Sequence, residues 1–187
     1  MLIEKELVKK AAAGDGQAFE HLVTMYEKKV YSLAYKTLGS EQDALDVSQD
    51  VFLKVYKYLS GFKQESSFST WIYSITINSC RDHIRKNKNY DISLMSSDQD
   101  EEEYAIEVPD IKYSPEKQYE QKEFIESIKK GIKLLNPSHR EVLALRVNGK
   151  SYAEIAAILS LDVGTVKSRI SRARENLRKY LFDNGTF

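Results

Sequence analysis

The segment GTVKSRISRAR, residues 164–174, concentrates cationic and hydroxyl side chains at helical spacing. At about 100° per residue, Val166, Ile170, Ala173 and Leu177 share one apolar stripe that must turn inward. Gly164, Thr165, Ser168, Ser171 and Arg172 fall opposite, with Lys167, Arg169 and Arg174 on the flanks. Such a face binds rather than reacts. A guanidinium fork at Arg172 matches the edge of a guanine, the serines reach bases or phosphates, and the flanking cations seat the helix on phosphates. A merely solvated basic face is the plainer alternative. It fits less well here, because SYAEIAAIL precedes this segment and a three-residue turn, Ser160 to Asp162, joins the two. Two helices so joined are a helix-turn-helix, whose second helix enters a major groove.

Two further faces carry binding chemistry. In FSTWIYSITINSCRDHIRK, Tyr73, Ile77, Cys80 and Ile84 form the stripe expected to be buried, while Trp71, Ser74, Ile75, Asn78, Arg81 and Arg85 share the other side. An aromatic surface beside an amide and two guanidinium groups suits bases that have left a stack. The polar loop Glu65 to Ser69 next to it has the chemistry to grip a single base. Trp71 packed under that loop is the plainer alternative. In DALDVSQDVFLKVYKYL, Asp46, Gln49, Asp50 and Leu53 make a mixed acidic and apolar side, the composition of a docking face. A solvated face with one exposed leucine is its bland counterpart.

Catalysis finds no support in the residues. His21, His83 and His139 fall on separate helices. Cys80 and His83 are three apart, but Cys80 is on the inward stripe and no third group accompanies them. No glycine-rich phosphate loop and no metal-ligand spacing occurs, so neither a cofactor nor a metal is expected. A single cysteine makes no internal disulfide, and MLIEKELVKK lacks the apolar core of an export signal; both fit a cytoplasmic protein.

These faces must be positioned by helices. The net charge is zero, but it is unevenly spread: 13 basic and 11 acidic residues in 1–90, 3 and 11 in 91–123, and 12 and 6 in 124–187. A basic C-terminal lobe is thus joined to a near-neutral N-terminal lobe through an acidic, proline-containing segment, read as a flexible linker. Expected helices run over 17–38, closed by Gly39, and from the Ser40 cap to Leu59, with Ala44, Val47, Val51, Val55 and Tyr58 inward. Others cover 69–87, 124–135, 138–147, 152–159 and 163–181. The expected fold is all-α, in two helical lobes, with the helix-turn-helix in the second.

Taken together, DALDVSQDVF, FKQESSFSTWIYSITINSCRDHIRK and NPSHREVLALR followed by SYAEIAAILSLDVGTVKSRISRAREN resemble, in that order, the blocks of the extracytoplasmic-function sigma factors of bacterial RNA polymerase. The resemblance covers nearly the whole chain except the linker. It implies that 1–90 docks on core polymerase and melts the promoter at the minus-ten element, and that 124–187 reads the minus-thirty-five element as duplex. It implies that Asp46, Gln49, Asp50 and Leu53 bind the clamp helices of the largest subunit. Thr165, Lys167, Ser168, Arg169, Ser171, Arg172 and Arg174 would contact the upstream element, and the polymerase flap would hold the same lobe. Phe68, Ser69 and Asn78 would trap a flipped base, with Trp71, Arg81 and Arg85 supporting the separated strand. An anti-sigma protein is a further implied partner. Three residues depart from the family pattern: Asn136 stands for proline, Lys150 for leucine, and Ser160 for a glycine at a place that suits positive φ. A one-component regulator, with the same helix-turn-helix and an N-terminal sensing lobe, is the competing reading.

Overall fold

A computed structural model describes residues 2–91 and 115–185, and among these every regular element is helical. The N-terminal lobe comprises α1 (Leu2–Ala12), α2 (Gly16–Leu38), α3 (Glu41–Tyr58), a 3-10 turn over Leu59–Gly61, and α4 (Phe68–Asp91). The C-terminal lobe comprises α5 (Pro115–Leu134), α6 (Pro137–Val147), α7 (Tyr152–Leu159) and α8 (Val163–Asp183). Acidic residues 92–114 lie outside the described part.

Caps account for most helix ends. The Asp15 carboxylate accepts from the Ala18 N–H and starts α2. Gly39, at φ 79°, ends it and returns its N–H to the Tyr35 carbonyl. Ser40 then caps α3. Asn136, the residue that replaces proline, caps α6 by accepting from the His139 N–H. An amide side chain does there what proline cannot, since proline has no acceptor to offer an orphan N–H.

Four expectations are corrected. α1 was absent from the sequence reading; its buried Val8 packs it against the lobe. Tyr58 is 53% exposed rather than inward, because the chain tightens into the 3-10 turn and Leu59 takes the core position. α5 begins at Pro115, not Phe124, and so includes the last nine residues of the segment read as linker; proline's fixed φ suits a first helical turn. Lastly, α4 buries Ile72 and Thr76 as fully as Tyr73, Ile77 and Cys80, while Ile84 is only half-buried. The reason is that α4 is packed on two sides, by α2 and α3 on one and by α7 on the other.

That second contact links the lobes. One continuous apolar cluster includes Leu22, Val30, Val51 and Ile77 from the first lobe and Val142, Leu145, Ile155 and Val166 from the second. Between α5 and α8 the approach is close enough that a Cβ at Gly131 would stand 2.6 Å from Leu177 Cδ1 and 2.7 Å from Tyr180 Cδ1, so any larger residue would force those side chains to shift.

Candidate nucleic-acid interface

The helix-turn-helix is fixed by local chemistry at both ends of its turn. α7 opens with a reciprocal capping box: the Ser151 hydroxyl accepts from the Glu154 N–H, and the Glu154 carboxylate accepts from the Ser151 N–H. Hydrogen bonds from Ser151, with Lys150 beside it, hold the Glu154 carboxyl at about 2. α7 closes at Ser160, which adopts φ 55°, ψ 48°, the left-handed region. This is the residue standing where the family has glycine, and the backbone makes the glycine-type turn regardless. The Ser160 and Leu161 N–H groups both return to the Ala156 carbonyl. Asp162 then caps α8 by accepting from the Thr165 N–H at 2.7 Å.

α8 presents the face the sequence predicts. Val166, Ile170 and Ala173 are buried, and Lys167, Ser168, Ser171, Arg172 and Arg174 are exposed together on the other side. Thr165 and Arg169 are half-buried. The Thr165 hydroxyl donates to Asp162 and the Ser168 hydroxyl to the Thr165 carbonyl, so in this state both hydroxyl protons serve the helix. His139, read from sequence only as an isolated histidine, lies close enough to this face to feel it. Burial, then the charges of Arg169 and Arg172, hold its pKa below the usual histidine value, so its imidazole is neutral near pH 7.

In the N-terminal lobe the loop before α4 closes over a cavity of about 320 Å³. Glu4, Lys5 and Val8 of α1 form one wall, and Phe62, Gln64, Ser66, Ser67 and Phe68 the other. Gln64 holds a left-handed φ of 58°, which turns the loop. Phe68 is buried rather than displayed; it sits among Tyr26, Phe62 and Trp71 and floors the cavity. Trp71 is half-buried, with one face stacked on Phe62 at 4.7 Å between ring centroids. Its packing under the loop, the plainer alternative, is what this state contains. Phe62, Gln64 and the α1 residues were missed from sequence, and with α1 itself unforeseen no pattern pointed to them.

Of the other α4 residues expected to handle the separated strand, Asn78, Arg81 and Arg85 lie along one exposed side, and Ser69 is half-buried at its start. The Asn78 side-chain oxygen accepts a long 3.5 Å bond from Arg81, and Arg85 pairs with Asp82. Arg81 also reaches into the other lobe, where Nε and a terminal nitrogen each donate to Glu141 at 2.7 Å. Cys80, directly behind, is fully buried, and its thiol is pushed up to about 12, so it stays protonated.

On α3, Asp46, Gln49, Asp50 and Leu53 are all exposed and form one stripe. Leu53 is 68% exposed, and Tyr56, three residues on, is 69% exposed; Leu45 is exposed as well. The stripe is therefore more apolar than a single leucine, which favours a docking face over a solvated one.

Comparison with known proteins agrees with this geometry. Residues 22–90 match the family model for Sigma-70 region 2, and residues 125–177 match that for Sigma-70, region 4. The chain is 35% identical to the RNA polymerase sigma-H factor of Pseudomonas aeruginosa over 95% of its own length and 93% of that protein's. It is 36% identical to the ECF RNA polymerase sigma factor SigW of Bacillus subtilis, over 98% of each. Among solved structures it is similar to CnrH in complex with the cytosolic domain of CnrY, with 26% identity, a TM-score of 0.66, and coverage of 97% of this chain and 98% of that one. With two region models in order and full-length relatives above one-third identity, the chain belongs to the extracytoplasmic-function family of RNA polymerase sigma factors.

Proposed function

We propose that this chain binds core RNA polymerase and directs it to promoters by holding two forms of DNA at once. The C-terminal lobe takes the minus-thirty-five element as duplex. Arg172 makes the paired contact to a guanine, Ser168 and Ser171 approach neighbouring bases, and Lys167, Arg169 and Arg174 seat α8 on phosphates, with the Thr165 end of the helix at the backbone. The N-terminal lobe takes the minus-ten element after it opens. A flipped base enters the cavity floored by Phe68, between the loop and Ser69. Asn78, about 15 Å further along α4, captures another unpaired base of the same strand, which Trp71, Arg81 and Arg85 support. The α3 stripe of Asp46, Gln49, Asp50 and Leu53 docks on the clamp helices of the largest subunit, and the flap holds the C-terminal lobe.

No bond is made or broken by the chain in this scheme. Opening a base pair costs a few kcal/mol, and capturing an unpaired base returns about 1–3 kcal/mol. Opening is therefore nearly balanced, and polymerase contacts tip it. CnrH is held by the cytosolic part of a second protein. By likeness, this chain too has a protein antagonist, an anti-sigma factor, and it works in the cytoplasm with the polymerase.

The observation that carries the proposal is the exposed basic, hydroxylated face of α8 behind a turn whose geometry is set by Ser160. The test has two arms on holoenzyme. Arg172→Ala should weaken binding to upstream-element duplex by about 1–3 kcal/mol, read by gel shift. Asn78→Ala should leave that affinity alone yet slow melting, read by permanganate reactivity. Equal affinity in the first arm refutes the guanine contact; equal melting in the second removes Asn78 from base capture.

A further inference from the structure

Beside the apolar cluster they share, the lobes meet through polar groups, some of which belong to the proposed melting face. Glu141 of α6 is 3% exposed, and both of its side-chain oxygens are engaged by Arg81 of α4, sixty residues earlier in the chain. Lys150, between α6 and α7, reaches the Ser69 hydroxyl at the start of α4 and lies 4.9 Å from the centre of the Tyr73 ring. Its side chain is only 12% exposed. Ser32 and Asn148 approach at 3.5 Å on the adjoining side. A guanidinium fork that holds a carboxylate with two bonds cannot at the same time hold a phosphate or a base with them.

A length argument points the same way. The two promoter elements are named for positions about 25 nucleotides apart, roughly 85 Å of duplex at 3.4 Å per step. α8 has 21 residues and is about 32 Å long. Lobes in contact across a 2.7 Å ion pair do not span that distance, so the contact has to break before both elements are held.

Resting on the function proposed above, we infer that Arg81–Glu141 and Lys150–Ser69 form a latch that keeps the free chain closed, covering part of the base-capture face until polymerase or promoter DNA replaces Glu141. α8 keeps its reading face exposed in the closed state, so the latch silences the melting lobe and leaves the duplex reader free. Lys150 thereby gains a role: its ammonium crosses to the other lobe, which the leucine usual at this place has no means of doing.

The test uses the full-length free chain with Glu141→Gln, which keeps the shape and removes the charge, and Lys150→Met, which keeps the stem and removes the ammonium. Circular dichroism melting checks that each folds. Small-angle scattering should give the unaltered chain a radius of gyration near the compact value of about 16 Å. Each variant should move toward about 23 Å, the value for lobes some 40 Å apart on a flexible tether. Stopped-flow association with core polymerase should quicken several-fold in both. The Lys150 variant separates the latch from a general charge effect, because losing a cation should slow, not quicken, binding to any polyanion. If both variants keep the dimensions and association rate of the unaltered chain, the latch is overturned. The base-capture assignment fails separately, by unchanged melting in Asn78→Ala, and either result leaves the other standing.

Discussion

Ser160 holds the turn that aims the reading helix, and it does so in a conformation costly for serine. At φ 55°, ψ 48° its Cβ crowds the following carbonyl, a penalty of about 1–2 kcal/mol for a residue other than glycine. Its side chain is exposed and shares no hydrogen bond with a neighbour, so nothing local offsets that penalty. Ser160→Gly removes the crowding. Glycine's greater freedom in the unfolded chain takes back about 0.4–1 kcal/mol. The net expectation is a stabilisation of about 0.5–1 kcal/mol, which for a chain of this size raises Tm by about 1–4 °C. Ser160→Val should do the reverse, because a β-branched side chain fits the left-handed region worst. It should also weaken upstream-element binding, since the Leu161 N–H bond to Ala156 and the Asp162 cap of α8 both follow from that turn. Urea unfolding followed by circular dichroism reads the stabilities, and gel shifts read the binding. Loss of stability in the glycine variant, together with no cost in the valine variant, would refute the left-handed turn.

Asp50→Arg reverses the charge at the centre of the exposed α3 stripe and should abolish co-purification with core polymerase while leaving Tm within about 1 °C, as befits a surface change; unchanged co-purification would remove the stripe from docking. Ser151→Ala removes one half of the α7 capping box and should cost about 1 kcal/mol at pH 7. The other half depends on the Glu154 carboxylate, whose folded pKa of about 2 lies below its ordinary value of 4.5. Its contribution is therefore complete above about pH 4.5 and lost as pH falls through 2. Because that side chain is 42% exposed, solvent screens much of the effect. The Ser151 hydroxyl also donates to that carboxylate, so the stability gap between Ser151→Ala and the unaltered chain should shrink across that window in urea titrations; a constant gap down to pH 2 would mean that this hydroxyl–carboxylate bond is not formed.

Helices with complete local signals were legible from sequence. α7 runs over the residues expected, since the Ser151 and Ser160 boundaries are written in cap and turn chemistry. Gly39 and Ser40 likewise marked the end of α2 and the start of α3. What escaped depends on contacts distant in sequence. α1 is a short helix held by packing against α2 and the 3-10 turn, and local periodicity does not report that. Thr76 falls outside the inward stripe read for α4, yet it is fully buried, with its hydroxyl returned to the Ile72 carbonyl, because α4 is packed by α7 as well as by α2 and α3. Glu141 and Lys150 show the same limit. Lys150 stood out as a departure from the family pattern, but its partners, Ser69 and Tyr73, lie some eighty residues away, and only the folded chain joins them. Of the candidate site, the α8 and α3 faces were readable because each is a single amphipathic helix. The cavity beneath the loop was not, because two segments more than fifty residues apart, α1 and the loop before α4, build it.

Run-off transcription with purified core polymerase on genomic fragments tests most directly whether this polypeptide confers promoter recognition. With the chain added, discrete transcripts should start from defined sites, and Arg172→Ala and Asn78→Ala should each reduce them, the first by lost binding and the second by lost melting. If the chain instead bound duplex fragments unaided while core polymerase gained no defined start site from it, a conventional regulator would be the better description.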